Sequence, residues 1–344
     1  MISKTMKMPR TLYGEATGIA PGLLLSIVIA AAATFVSDHY GGPKFLYALL
    51  LGISLHFLSD HEKCGAGIEF AAKKLVRIGV ALLGVRIAYS DVSTIGLDGV
   101  GILAGAVVLT IMFSLLFAKL LNVSGTFGLL AGGATGICGI SAAMAISSTI
   151  PQNKENEQYT LMTAIGVAAF STIAMVLYPL VVTSLQLSSS EAGMFLGGSI
   201  HDVAQVVGAG FMLSTEIGDA STLAKMFRVA MLMPVILLIA LSFRAQKQSD
   251  GKENHINAPI IPFFLLVFIA LIVVNSFNLV PDSVSEGMSE ISKWCLVISI
   301  AALGVKTSFE KLFSLGWKPI ILLLLNAMFI AGYMLAVIYT QRMI

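Results

Sequence analysis

Charge is scarce in this chain. Only 12% of its 344 residues are Asp, Glu, Lys or Arg, where a soluble domain carries about 25%. Hydrophobic residues make up 57% and the mean hydropathy is +0.90. A sphere of this composition cannot cover itself with polar groups, so lipid must face much of it. Cysteine is scarce too. Cys64, Cys138 and Cys295 are odd in number and widely spaced, with no CxxC pair and no secretory disulfide framework. There is no P-loop, GxSxG or HExxH, so neither ATP hydrolysis nor membrane proteolysis is indicated, and no enzymatic activity or cofactor is expected. The run Asp60-His61-Glu62-Lys63-Cys64 has the composition of a metal cluster without a ligand spacing; it reads as a solvated loop, not a metal site. A net charge of +2 gives no reason to expect a nucleic-acid partner.

What is present is a series of apolar segments, at 18–36, 43–58, 73–90, 98–120, 126–149, 159–185, 190–212, 221–243, 259–279, 289–306 and 316–339. A bilayer span takes about 20 apolar residues, and open sheet edges are not tolerated in hydrocarbon. The expected fold is therefore an all-α polytopic membrane protein of about 11 transmembrane helices, forming a single transmembrane transporter domain over residues 1–344. Segment 190–212 is the doubtful crossing, since it holds Glu191, His201 and Asp202. If it crosses, most of the 21 Lys and Arg lie on one side with Met1, which the positive-inside rule makes the cytoplasm. The basic loop Arg244–Lys252 then stays inside, and the acidic stretch with Asp282, Glu286 and Glu290 lies outside. That favours eleven spans over ten. Lys4, Lys7 and Arg10 precede the first apolar run, which reads as a retained span rather than a signal peptide.

An internal repeat joins residues 73–102 with 293–322. Leu83-Gly84-Val85-Arg86 matches Leu303-Gly304-Val305-Lys306, Ala81 matches Ala301, and Gly96 matches Gly316. With eleven spans the two copies run in opposite directions, and inverted repeats are a common build of secondary transporters. The competing reading is chance, because Leu-Gly-Val is common in apolar sequence.

Three segments carry candidate chemistry. Gly125, Gly128, Gly132, Gly133, Gly136 and Gly139 crowd one span, and each costs a helix roughly 1 kcal/mol relative to alanine. The run Thr135-Gly136-Ile137-Cys138-Gly139, followed by Ser141, is expected to unwind and offer backbone amides to an anion. Close packing through Gly132-xxx-Gly136 is the alternative. The second segment is Gly197 to Gln205. There His201 and Gln205 are expected on one helix face and Ser199 and Asp202 on another. His201, Asp202 and Gln205 are candidates for gating or proton transfer, and a structural histidine is the alternative. The third set is cationic. Arg228 is expected to assist the anion, while Arg86, Lys225 and Lys306 are candidates for a vestibule that draws anions in. Snorkelling to the headgroups is the competing account for Arg86, Lys225 and Arg228. His56, Asn275 and Asn326 are expected to bond neighbouring backbone.

Leu82-Leu83-Gly84-Val85-Arg86, Thr135 to Ala142, Gly198 to Val207 and Lys225-Met226-Phe227-Arg228-Val229 resemble motifs of the YeiH-type family of bacterial inner-membrane proteins, which carries a sulfate-exporter label. The likeness covers nearly the whole chain. It implies a bacterial inner-membrane location. A more distant similarity is to the cation/proton antiporter and bile-acid symporter fold, with its crossed broken helices. The sequence departs from that fold after 316–339, where no second glycine-rich segment follows. Segment 190–212 could stand in, but with eleven spans it runs parallel to 126–149 rather than antiparallel.

The resulting expectation is a secondary transporter of a small anion, with sulfate or an organosulfur anion as substrate and a proton as coupling ion. A passive anion channel, a sodium- or proton-coupled organic anion symporter, and a scaffold without flux are the alternatives. The expected partners are the substrate anion, a coupling proton or sodium ion, the lipid bilayer and, as an open matter, further copies of the chain.

Overall fold

The computed structural model describes residues 10–59, 61, 63–87, 89–150, 153–247, 262–277, 279–308, 310 and 316–343. Asp60, Glu62, Lys311, Lys252 and the N-terminal Lys4 and Lys7 lie outside these residues. The described elements are helical: α1 (Arg10–Tyr40), α2 (Lys44–Ser54), α3 (Gly65–Phe70), α4 (Val76–Leu83), α5 (Tyr89–Leu120), α6 (Gly125–Gly136), α7 (Ile140–Ser147), α8 (Lys154–Ser184), α9 (Ser189–Ser199), α10 (Val203–Leu213), α11 (Thr215–Ala230), α12 (Leu232–Lys247), α13 (Phe263–Ser276), α14 (Asp282–Lys306) and α15 (Trp317–Met343). A π-helical turn at Ala71–Leu75 joins α3 to α4. Six helices among the described residues are long and apolar enough to cross a membrane; α2, α10 and α13 are apolar but shorter. Leu115, Leu116, Leu237 and Leu238 point outward from the long helices, as side chains facing lipid would.

The chain divides into two compact units. The first holds residues up to Gly79 together with Lys293–Thr307. Here helices approach through small residues, which is how packing replaces a hydrophobic driving force in lipid. Gly52 lies against Ala301 and Gly304, Gly22 against Cys64 and Ile68, and Gly79 against Leu296. The pairings Glu69 with Lys306 and Gly79 with Leu296 show that the helical run from residue 65 is antiparallel to the end of α14. His56 Nδ1 lies 2.7 Å from the Val305 carbonyl.

The second unit holds Val80–Ser292 and Ser308–Ile344. Residue pairings fix the direction of each element within it. Helix α6 is antiparallel to α5, with Gly128 on Ala118, Gly132 on Ser114 and Gly136 on Val107. Small residues and buried hydroxyls hold this seam: Ser114 Oγ donates to the Gly128 carbonyl at 2.7 Å and receives Asn326 Nδ2 at 2.9 Å. After residues 137–139, α7 turns back, placing Ile146 on Gly133. Ser147 meets Thr160 near the start of α8, and Tyr159 packs on Phe127. Both ends of the α6–α7 pair therefore lie at one end of the unit.

The same construction recurs in α9 and α10. Gly193 faces Ala220 and Gly197 faces Ala224, so α9 runs parallel to α11. Gly210 faces Gly218, so α10 runs antiparallel to it. Ser189 Oγ reaches Glu216 at 3.0 Å, which puts both ends of this pair at the opposite end of the unit from α6–α7. Segments 126–149 and 190–212 are thus helical hairpins that enter and return, and among the described residues the expected count of about eleven crossings is not confirmed. The hairpins enter from opposite ends. This is the antiparallel arrangement that eleven crossings had excluded: the return of the first segment reverses the side from which the second enters, and the return of the second restores the parity of the helices that follow. Beyond the hairpins, α11 and α12 bend at Met231, where Pro234 has no N–H for the Ala230 carbonyl.

Candidate functional site

The two hairpin tips, Ile137–Gly139 and Ile200–Asp202, meet inside the second unit. Gly139, at φ +68°, is the N-cap of α7, and its missing Cβ would stand 3.3 Å from Asp202 Cβ and 3.5 Å from the His201 carbonyl. Asp202 is the N-cap of α10, its Oδ1 accepting from the Val203 amide at 2.7 Å. The positive ends of two helix dipoles therefore converge. The Ala143 amide bonds the Gly139 carbonyl and the Val206 amide bonds the Asp202 carbonyl. Amides ahead of those bonds, at Ile140 and Ser141 on α7 and at Ala204 and Gln205 on α10, lie in first turns, where no intrahelical acceptor exists.

The glycine-dense segment is helical as far as Gly136 and opens only at the tip. Gly128, Gly132 and Gly136 pack on α5, Thr135 and Gly136 stay helical where unwinding was expected, and only Ile137, Cys138 and Gly139 lie outside a helix. His201 and Asp202 lie in the second break rather than on a helix. They do not form helical faces with Gln205 and Ser199.

Lys225 and Arg228 stand on α11, one turn apart and fully buried, so snorkelling does not describe them. Lys225 Nζ donates to the carbonyls of Ile137 at 2.8 Å, Ile200 at 2.8 Å and His201 at 2.7 Å. A neutral amine has too few hydrogens for three acceptors, so this geometry belongs to the ammonium. Arg228 donates through Nε to Gly136 at 2.8 Å, through Nη2 to Thr135 at 2.7 Å, and through Nη1 to Gly197 at 2.9 Å and Ile200 at 3.0 Å. The two cations satisfy the carbonyls left open at the C-terminal ends of α6 and α9. They spend their donors on backbone rather than pointing them at a ligand. Lys225 is a clamp at the tips, not part of an open vestibule.

Polar atoms without a close partner cluster around the same tips. Thr135 Oγ1, Gln205 Oε1 and both ring nitrogens of His201 are buried with no well-formed hydrogen bond; the imidazole lies toward the backbone of Ser199 and Thr135. The Gln205 amide nitrogen reaches Thr172 Oγ1 at 3.5 Å, and Ser171 Oγ accepts from the Asp202 amide at 3.1 Å. Helix α8, which runs past both tips, supplies these hydroxyls. The spacing of Ser171 and Thr172 gave no signal in the sequence, since hydroxyls on an apolar helix commonly bond their own backbone. Cys138 is buried at the first tip, and Ser141 is exposed.

The other candidate cations are neutralised away from the tips. Arg86 pairs with Asp219 at 3.1 Å within the second unit. Lys306 pairs with Glu69, which also takes Lys73, within the first. Asn275 Nδ2 donates to the Ile87 carbonyl at 3.2 Å, so His56 and Asn275 do bond backbone, while Asn326 bonds a side chain. No group of three His, Cys, Asp or Glu side chains that could hold a metal occurs among the described residues.

Residues 21–323 match the family model described as conserved hypothetical protein 698. A UPF0324 membrane protein of Chlorobaculum tepidum is 45% identical over 315 residues, covering 90% of this chain and 87% of that one. The UPF0324 membrane protein TauZ of Paracoccus denitrificans is 43% identical, covering 91% and 93%. The UPF0324 inner membrane protein YeiH of Escherichia coli is 32% identical, covering 95% and 94%. With this agreement along almost its full length, the chain belongs to the YeiH-type UPF0324 family of multi-pass membrane proteins.

Proposed function

We propose that this chain is a secondary transporter of a small anion, with sulfate or an organosulfur anion as the substrate class, working outward across a bacterial inner membrane with its N-terminus in the cytoplasm. The observation that carries this reading is the convergence of the α7 and α10 N-termini at Gly139 and Asp202. They meet in a protein interior that also holds two cations, Lys225 and Arg228. Against these stands the carboxylate of Asp202, so among these three groups the formal charge is positive and an anion would balance it.

Charge attraction and direct contact are divided between different groups. Lys225 and Arg228 set the field, while first-turn amides, Thr135 Oγ1, Gln205 and His201 offer hydrogen bonds to the ligand. His201, with ring nitrogens uncommitted to strong partners, and the neighbouring Asp202 are the residues proposed to carry the coupling proton or to gate the site. Lys225 and Arg228 bond carbonyls of both hairpins at once, which favours alternating access over a channel.

The test is flux of labelled sulfate and sulfonates into inside-out vesicles, with and without a pH gradient. Saturable uptake that depends on the gradient is expected. No flux of any anion through folded protein would remove the reading.

A further inference from the structure

We infer that Lys225 is a resident counter-cation: its ammonium fills a cage of carbonyls built jointly by both hairpin tips, and the site therefore works without a sodium ion. This rests on the transporter reading for its functional consequence, although the cage itself can be tested without transport.

The cage has the chemistry of a monovalent cation site. Breaking two helices in mid-membrane exposes backbone carbonyls, and irregular backbone at that depth must find partners. A dissolved cation would meet this need by oxygen coordination. Here the three carbonyls of Ile137, Ile200 and His201 converge on Nζ at 2.7–2.8 Å, and four more contacts from the tips and their helices go to Arg228. Lys225 takes one carbonyl from the first hairpin and two from the second, so it bridges them as a shared ion would. Its place is fixed by α11: Gly197 lies so close to that helix that a Cβ would fall 2.4 Å from the Ser221 carbonyl. The cation is thereby delivered covalently, at fixed position and unit occupancy. An ion that never leaves cannot carry the energy of a sodium gradient.

The experiment measures melting temperature and anion flux for the wild type, Lys225→Ala and Lys225→Met in choline, sodium, ammonium and methylammonium chloride. Choline has no N–H donor and is the control. The wild type should melt and transport alike in sodium and choline. Lys225→Ala should melt roughly 5–10 °C lower in choline and regain much of that loss, saturably, with methylammonium or ammonium, because a ligand that binds only the folded state stabilises it. Lys225→Met fills the space without a charge and should show no cation response. A saturable, sodium-specific rise in wild-type melting temperature or flux would overturn the inference, as would a folded Lys225→Ala indifferent to every cation. If Lys225→Ala does not fold, the sodium response of the wild type alone decides. Absent flux of any anion with the cation responses as expected would remove the transporter reading and leave the resident cation standing.

Discussion

At Gly139 the backbone sits at φ +68°, facing Asp202. An L side chain there costs about 1–2 kcal/mol in conformation alone, before the 3.3 Å approach to Asp202 Cβ is counted. Gly139→Ala should therefore part the two N-caps and reduce initial anion uptake about tenfold, since 1.4 kcal/mol of lost interaction is a factor of ten; vesicle uptake checks it. Arg228 makes a different demand. Its fork bonds carbonyls of both hairpins at once, and a lysine has neither the reach nor the planar geometry to replace it. Arg228→Lys should be destabilised by roughly 2–4 kcal/mol and Arg228→Ala by more, read as melting temperature in detergent. If Arg228 merely snorkelled, both variants would melt like the wild type.

Among the elements, α9 begins with a capping box, Ser188 with Glu191, and Arg342 at the end of α15 grips the same carboxylate at 2.6 Å. The Arg342 guanidinium, aided by the Ser188 backbone and hydroxyl, holds the Glu191 pKa at about 2, below its ordinary 4.5. A carboxylate with a depressed folded-state pKa stabilises fully above about pH 4.5, and that contribution fades as pH falls toward about 2. The pair is partly exposed, so solvent screens it and its contribution is small. The melting difference between wild type and Glu191→Gln should be constant near neutrality and shrink steadily below pH 4.5. A difference that grows on acidification would contradict the clasp.

The first break was legible from residue type, since glycine density marked its tip; the second was not, because His201 and Asp202 read as residues on helix faces. Direction was not legible, because a half-helix of eleven residues has the same apolarity whether it continues or returns. Nor did the sequence reveal what Lys225 and Arg228 bond, since a backbone carbonyl leaves no signature in residue identity. Arg86 and Lys306 looked like free cations for a similar reason: Asp219 and Glu69, which neutralise them, are far away in the chain.

For the whole molecule, the returning hairpins make a prediction about sidedness. Cysteines introduced at Lys119 and Ser148, which flank the first hairpin, should both react with an impermeant maleimide from one face of the membrane. Those at Ser190 and Thr215, which flank the second, should react from the other. All four positions are exposed. Had segments 126–149 and 190–212 crossed the bilayer, each flanking pair would split between faces. The same labelling fixes which face holds the end of α12.

The clamp at the tips also governs which motions are cheap. Freeing the first hairpin alone would break the bonds from Lys225 and Arg228 to Thr135, Gly136 and Ile137, at about 1.5–3 kcal/mol for each charge-assisted contact. Two independent flaps, opening in turn, would incur that cost in every cycle. A carriage in which both hairpins and α11 travel together would keep every bond intact. The timing of the cycle would then be set by how that carriage slides against its lipid and protein surroundings, and a crosslink between the tips should leave turnover almost untouched.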